Sequence, residues 1–175
     1  LILENKVEFA NTTKREFNGA RSYEFSLFSE FGSKVEAIDY SIKHLKEWMK
    51  PEKRKTNKPM NFLGGKGQVR HFPKGVVGII SPWNLPFGLT VAPLTSALAA
   101  GNRALLKPSE FVPETAALFA EVVPKYFSKD EVAVVTGGAE ISQKFAELPF
   151  DHLLFTGSTR VGAQIMQAAS KNLVP

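Results

Sequence analysis

The chain contains no cysteine. That excludes disulfides, thiolate metal sites and any mechanism whose nucleophile is a thiol carried on these 175 residues. Histidine is scarce too: His44, His71 and His152 are too scattered for a ligand cluster, so no metal site is expected. No apolar stretch approaches the roughly 18 residues of a spanning helix, and no charged, apolar, small-residue leader follows Leu1. A cytoplasmic protein with both ends cut is the expectation. Acidic residues are sparse in one place. Between Lys43 and Lys74, ten Lys or Arg stand against only Glu47 and Glu52. Such a stretch suits either a nucleic-acid patch or a solvated helix end and loop; the second is adopted here, with no nucleic-acid partner expected.

What is present points to a globular protein. Hydrophobic residues make up 43% of the chain and charged residues 22%, which allows a sizeable core within one domain. Residues 1–33 carry weak periodicity and read as helical. From Ser33 the pattern sharpens: Val35, Ile38, Ile42, Leu45 and Met49 recur at three- and four-residue steps, one apolar stripe on a helix that Pro51 stops. Ser33 is a candidate N-cap, with Glu36 completing a capping box. Residues 51–66, with two prolines and a Gly-Gly pair, read as a linker, and Gln68–Phe72 alternates like a strand.

After Lys74 the character changes. Apolar runs at Val76–Ser81, Ala104–Lys107, Val132–Thr136 and His152–Thr156 alternate with helical stretches at Phe87–Ala100, Pro113–Phe127, Glu140–Leu148 and Arg160–Lys171. This rhythm predicts an α/β fold, a parallel sheet with helices on both faces, behind an N-terminal helical segment. Pro93 is expected to kink the first of those helices.

Ligands of open sheets bind beyond the carboxyl ends of the strands, and three polar motifs fall there. They are Ser81-Pro82-Trp83-Asn84, Lys107-Pro108-Ser109-Glu110 and Gly157-Ser158-Thr159. The fingerprint G-x-G-x-x-G is missing from every strand-to-helix turn, so an ordinary Rossmann assignment fails. "FTGSTRVG" ends a strand and opens a helix. Its backbone N–H groups, helix dipole and Ser158 hydroxyl suit a phosphate, although taken alone a Ser/Thr N-cap is the simpler account. In "KPSE" a cation and a carboxylate three residues apart suit a ribose; a surface ion pair with the helix-entry chemistry of Ser109 suits the residues equally. Asn84, in "PWNLP", brings two donors and an acceptor, and burying any of them unpaired costs about 1–3 kcal/mol. It requires a structural partner or a ligand.

"PWNLP", "KPSE" and "FTGSTRVG", in this order and at these separations, resemble the aldehyde dehydrogenase superfamily, and "HLKEWMKP" is similar to its class-3 and coniferyl aldehyde dehydrogenase branch. The resemblance covers nearly the whole chain and is weakest over the first 25 residues. It implies oxidation of an aldehyde, in this branch an aromatic one, to a carboxylate with NAD or NADP. In that family a cysteine thiolate attacks the carbonyl, and the Asn matching Asn84 holds the oxyanion. Lys107 and Glu110 match contacts to the adenosine ribose, and Ser158 matches a pyrophosphate contact. Ser81, Pro82, Trp83 and Ser109 lie in the same cofactor-binding motifs. Gly157 would leave room for the backbone to approach the cofactor, and Gly137 and Gly138 match a turn near the adenine. A free Glu110 carboxylate repels a ribose 2′-phosphate whereas Lys107 offsets that repulsion, so NAD is the expected cofactor, with NADP compatible. The resemblance further implies a helical segment and linker at 1–66 and a truncated, Rossmann-like cofactor domain at 67–175. The catalytic domain, with its Glu and nucleophilic Cys, lies outside this chain, which is therefore expected to be inactive alone; the parent is expected to be a homo-oligomer. A non-catalytic dinucleotide-binding protein ending at Pro175 is the alternative.

Overall fold

The computed structural model describes residues 1–175. Helix α1 (Ile2–Glu16) opens the chain and buries Phe9 and Ala10. A short helix α2 (Tyr23–Ser26) follows, its first turn capped by Ser22, whose Oγ accepts from the Phe25 N–H at 3.0 Å. The chain then widens into a π-helical stretch, Leu27–Gly32, that runs directly into α3 (Ser33–Trp48).

That continuity overturns the expected cap at Ser33. Gly32 (φ −53°, ψ −62°) and Ser33 (φ −64°, ψ −20°) are both helical, so no helix start exists there to be capped. The Ser33 hydroxyl instead accepts from Lys34 Nζ at 2.9 Å. The stripe on α3 is real but not fully covered. No residue of α3 is fully buried, and Val35, Ile38, Ile42 and Leu45 line an open apolar groove of about 460 Å³.

The stretch read as a linker is partly paired: β1 (Glu52–Arg54) lies antiparallel to β2 (Gly67–Val69), with Glu52 opposite Val69. β2 is shorter than the strand expected at 68–72 because pairing stops where β1 does. A division after residue 66 falls between these partners, and α1 shares the sheet's core.

The second part follows the expected alternation. Strands β3 (Val76–Ile80), β4 (Arg103–Lys107), β5 (Val132–Val134) and β6 (His152–Phe155) form one parallel sheet in the order β5-β4-β3-β6. Helices α4 (Gly88–Ala99), α5 (Pro113–Val122), α6 (Ala139–Ala146) and α7 (Thr159–Ser170) connect and cover it. Period-two alternation sorts the side chains. Val77, Ile79 and Leu106 enter a large core with α1, α4 and α5, whereas Ile80 packs with Phe145 of α6 and Ile165 of α7 on the opposite face. Covered on both sides, β3 needs the near-continuous apolar run it has. Pro93 lies within α4, which continues through it. No helix is long and apolar enough to cross a membrane.

From β3 the chain steps outward to β4 and β5 and then returns across β3 to β6. The direction of winding reverses at β3, and open sheets of this kind hold ligands outside the carboxyl ends at such a reversal.

Candidate cofactor and oxyanion site

The carboxyl rim of the sheet is stitched together by backbone hydrogen bonds. Ser81 N–H donates to the Lys107 carbonyl at 3.2 Å, Thr156 N–H to Ile80 at 3.1 Å and Val135 N–H to Leu106 at 2.8 Å. The four turns therefore stand side by side in strand order: "VTGG" after β5, "KPSE" after β4, "SPWN" after β3 and "TGST" after β6.

Ser81 is buried and structural. Its hydroxyl lies 2.6 Å from Thr90 Oγ1, which donates to the Pro86 carbonyl at 2.6 Å. With the Thr90 proton committed, Ser81 is the donor to Thr90, and this relay closes the loop from β3 to α4 across its base. Beyond it Pro82 is half-buried, while Trp83 (51% exposed) and Asn84 face solvent. Trp83 stacks on Phe17 at 6.3 Å between ring centroids. The Asn84 amide has no hydrogen-bond partner within the chain, so no structural pairing consumes its donors; because it is exposed, water can satisfy it, and the burial cost that would require a partner does not apply.

The KPSE turn divides into a buried and an exposed half. Lys107 is 1% exposed; its Nζ donates to the Pro108 carbonyl at 2.8 Å and lies 3.8 Å from the Glu110 carboxylate. Burial holds the Lys107 ammonium below the ordinary lysine range, and Glu110 only partly opposes this. Ser109 Oγ accepts from the Phe111 N–H at 3.2 Å, which makes it a turn residue in this chain. Glu110 remains open to solvent.

A Lys with a depressed pKa lowers stability wherever it is charged in the unfolded chain and costly to charge in the native one. The unfolded state then binds the extra proton, so stability rises with pH between the lowered value and 10.5. Lys107→Met is therefore expected to be at least as stable as the parent sequence near neutrality, with an advantage that shrinks as pH rises toward 10.5. Thermal unfolding of both proteins across that range checks it; an advantage that grows with pH contradicts the burial argument.

Gly137 (φ +142°) adopts a backbone that side chains rarely allow, and a Cβ there would meet Ile141 of α6 at 2.6 Å. Gly138 is the N-cap residue of α6. At Gly157 the Phe155 ring stands where a side chain would go, 2.4 Å from a Cβ placed there, so the position has no space for one. Residues 155 and 157 point to the same side as the strand ends, so the ring folds over the glycine. Ser158 caps α7, its Oγ accepting from Val161 N–H at 3.4 Å. Helices α1, α3, α5 and α6 each carry an acid in the first turn; α4 and α7 have none, but the α4 start is met by Glu30 whereas α7 begins Thr159-Arg160. Its positive end is left available to an outside anion.

Sequence reasoning missed Glu30. It is 1% exposed and reaches across from the π-helical stretch, its Oε2 accepting from the Phe87 N–H (2.7 Å) and Gly88 N–H (3.0 Å) at the start of α4. Burial pushes its carboxyl above the ordinary range, opposed by those two N–H groups, Arg21 and Lys34. No local signal marks it, because its partners lie 57 and 58 residues away.

Comparisons with known proteins bear on the family and the fold. The family model described as "Aldehyde dehydrogenase family" matches residues 1–175. A probable coniferyl aldehyde dehydrogenase of Caulobacter vibrioides is 46% identical over 176 residues, spanning 100% of this chain and 36% of that protein. The coniferyl aldehyde dehydrogenase of a Pseudomonas species is 45% identical over 100% of this chain and 35% of its own length. Aldehyde dehydrogenase family 3 member B1 of Rattus norvegicus is 41% identical over 84% of this chain and 31% of its own length. The chain thus spans about a third of the curated relatives it matches. Among solved structures, substrate-bound AldH of Staphylococcus aureus superposes with a TM-score of 0.84 at 32% identity over 98% of this chain and 40% of that one. An aldehyde dehydrogenase of Mycobacterium tuberculosis complexed with NAD+ gives 0.82 at 29% identity over 99% of this chain and 35% of that one.

Proposed function

This chain belongs to the aldehyde dehydrogenase family, and from that premise we propose that it is the cofactor-binding portion of a longer NAD(P)-dependent enzyme oxidising an aromatic, coniferyl-type aldehyde. The observation that carries this is the alignment of four polar turns along one rim, at the point where the sheet's winding reverses.

The rim suits a dinucleotide. The acid-free start of α7, with Ser158 and Arg160, suits the pyrophosphate, and the exposed Glu110 carboxylate suits the vicinal hydroxyls of a ribose. Lys107 sits beneath, fixing the turn through Pro108 and moderating the Glu110 charge. Gly137 and Gly138 give the turn beside the adenine end, and Trp83 flanks the opening. When bound, the nicotinamide supplies the hydride acceptor. Asn84 directs its unpaired amide donors at the oxygen that gains negative charge as the aldehyde carbonyl is attacked. α1 packs in the sheet's core, and Phe17 stacks on Trp83 at the rim. The half-open apolar face of α3 is compatible with a homo-oligomeric parent.

Glu110 gives the direct test. Glu110→Gln in the full-length enzyme is expected to raise the NAD KM about tenfold by weakening charge-assisted hydrogen bonds to the ribose. It is also expected to narrow the preference for NAD over NADP, since a charge repelling the 2′-phosphate is gone. Steady-state kinetics with both cofactors decide it; unchanged Michaelis constants for both would remove Glu110 from the site.

A further inference from the structure

The geometry points to Glu30 as a positioning residue that aims Asn84, acting from outside every motif of the rim; this rests on the oxyanion role proposed for Asn84. The loop carrying Asn84 runs from Ser81 to Gly88 and enters α4. A helix start exposes unpaired N–H groups, and here the N-cap residue is Phe87, which has no oxygen to offer. Glu30 brings the missing acceptor from another part of the chain, with one oxygen on both N–H groups. A negative charge at that end also complements the helix dipole.

Its second oxygen faces Arg21 Nη1 at 3.6 Å. The Arg21 guanidinium lies 3.9 Å from the centre of the Phe17 ring, and Phe17 is the ring that stacks on Trp83. One carboxylate therefore fixes the exit of the loop through the backbone, while its other oxygen, without a hydrogen bond, borders a line of contacts through Arg21 and Phe17 to Trp83 in the loop's middle. The Ser81–Thr90–Pro86 relay fixes its base. Asn84, lying between these anchors with no bond of its own, takes its direction from them. Two features make the approach feasible. Glu30 lies in the π-helical turn Leu27–Gly32, where the helix is wider than the α-helices on either side. Gly88 is bare where a Cβ would meet Lys34 Cε at 3.0 Å and the Glu30 Cα at 3.6 Å.

A displaced donor loses most of its value in the transition state, and misplacement by about 1 Å can cost 10²-fold. The test is a double-mutant cycle in the full-length enzyme: Glu30→Ala, Asn84→Ala and both together, with Glu30→Gln and Glu30→Asp alongside. Glu30→Ala is expected to lower kcat roughly 10- to 100-fold with the cofactor KM within about twofold. The double variant should be no slower than Asn84→Ala alone, because an absent amide has no aim to lose. Glu30→Gln keeps an oxygen for the two N–H groups and should recover most of the loss. If Glu30→Ala does not fold, the same cycle is run with Glu30→Asp, whose shorter arm cannot reach both N–H groups. Losses that multiply in the double variant, or parent-level kcat in Glu30→Ala and Glu30→Asp while Asn84→Ala is impaired, overturn the positioning role and leave Asn84 intact. Parent-level turnover of Asn84→Ala instead overturns the oxyanion reading itself.

Discussion

Asn84→Ala in the full-length enzyme is expected to lower turnover by roughly 10²–10³ while the cofactor KM stays within about twofold. The reason lies in when the amide is needed. The aldehyde oxygen carries little charge in the ground state and becomes an oxyanion only after attack, so a donor aimed at it acts on the barrier more than on binding. Two structural facts sharpen the expectation. Asn84 is exposed and makes no hydrogen bond within the chain, so its removal leaves no buried group unpaired and no fold-level cost is predicted. The loop around it is held by the Ser81–Thr90 relay and by Glu30, neither of which involves the Asn84 side chain. A stability change therefore cannot account for the loss, and comparing unfolding temperature with kcat separates the two. Turnover near that of the parent, at unchanged stability, would assign the amide no part in the chemistry.

Much of the sheet was legible because its signals are local. Continuous apolar runs between turn residues mark strands buried on both faces, and β3, β4, β5 and β6 lie where those runs lie. The rim was legible for the same reason, since each polar motif directly follows a strand. What escaped depends on distance along the chain. Ser33 satisfies every local criterion for an N-cap, yet the preceding residues are already helical, with Phe31 stacked on Phe87 at 4.1 Å, and the cap has nothing to do. Glu30 lies in an unremarkable run and matters only because α4 begins above it. The pairing of β1 with β2 was missed because twelve residues separate two very short strands without a tight-turn signature.

Residues 1–175 by themselves are expected to show no aldehyde oxidation at all, whatever their folded state. The thiol mechanism of this family needs a nucleophile that forms and later releases an acyl group, and the chain carries no cysteine. Asn84 alone has no adduct to stabilise. Dinucleotide affinity is a separate question, since the rim from "VTGG" to "TGST" is present in one piece. It is expected to be weak. The Phe155 ring fills the space beside Gly157, and β6 is the sheet's edge, half-buried along its whole length, where Leu153 N–H finds only the Pro175 carbonyl at 3.0 Å. β3 is not exposed, because helices cover both its faces. The risk of association comes instead from the β6 edge and from the apolar groove along α3. The decisive measurement is NADH formation by the purified chain with an aromatic and an aliphatic aldehyde, after host dehydrogenases have been shown to be absent. Turnover above a protein-free control would mean that a group other than a thiol attacks the carbonyl, and the role assigned to this chain would have to be rebuilt from that nucleophile.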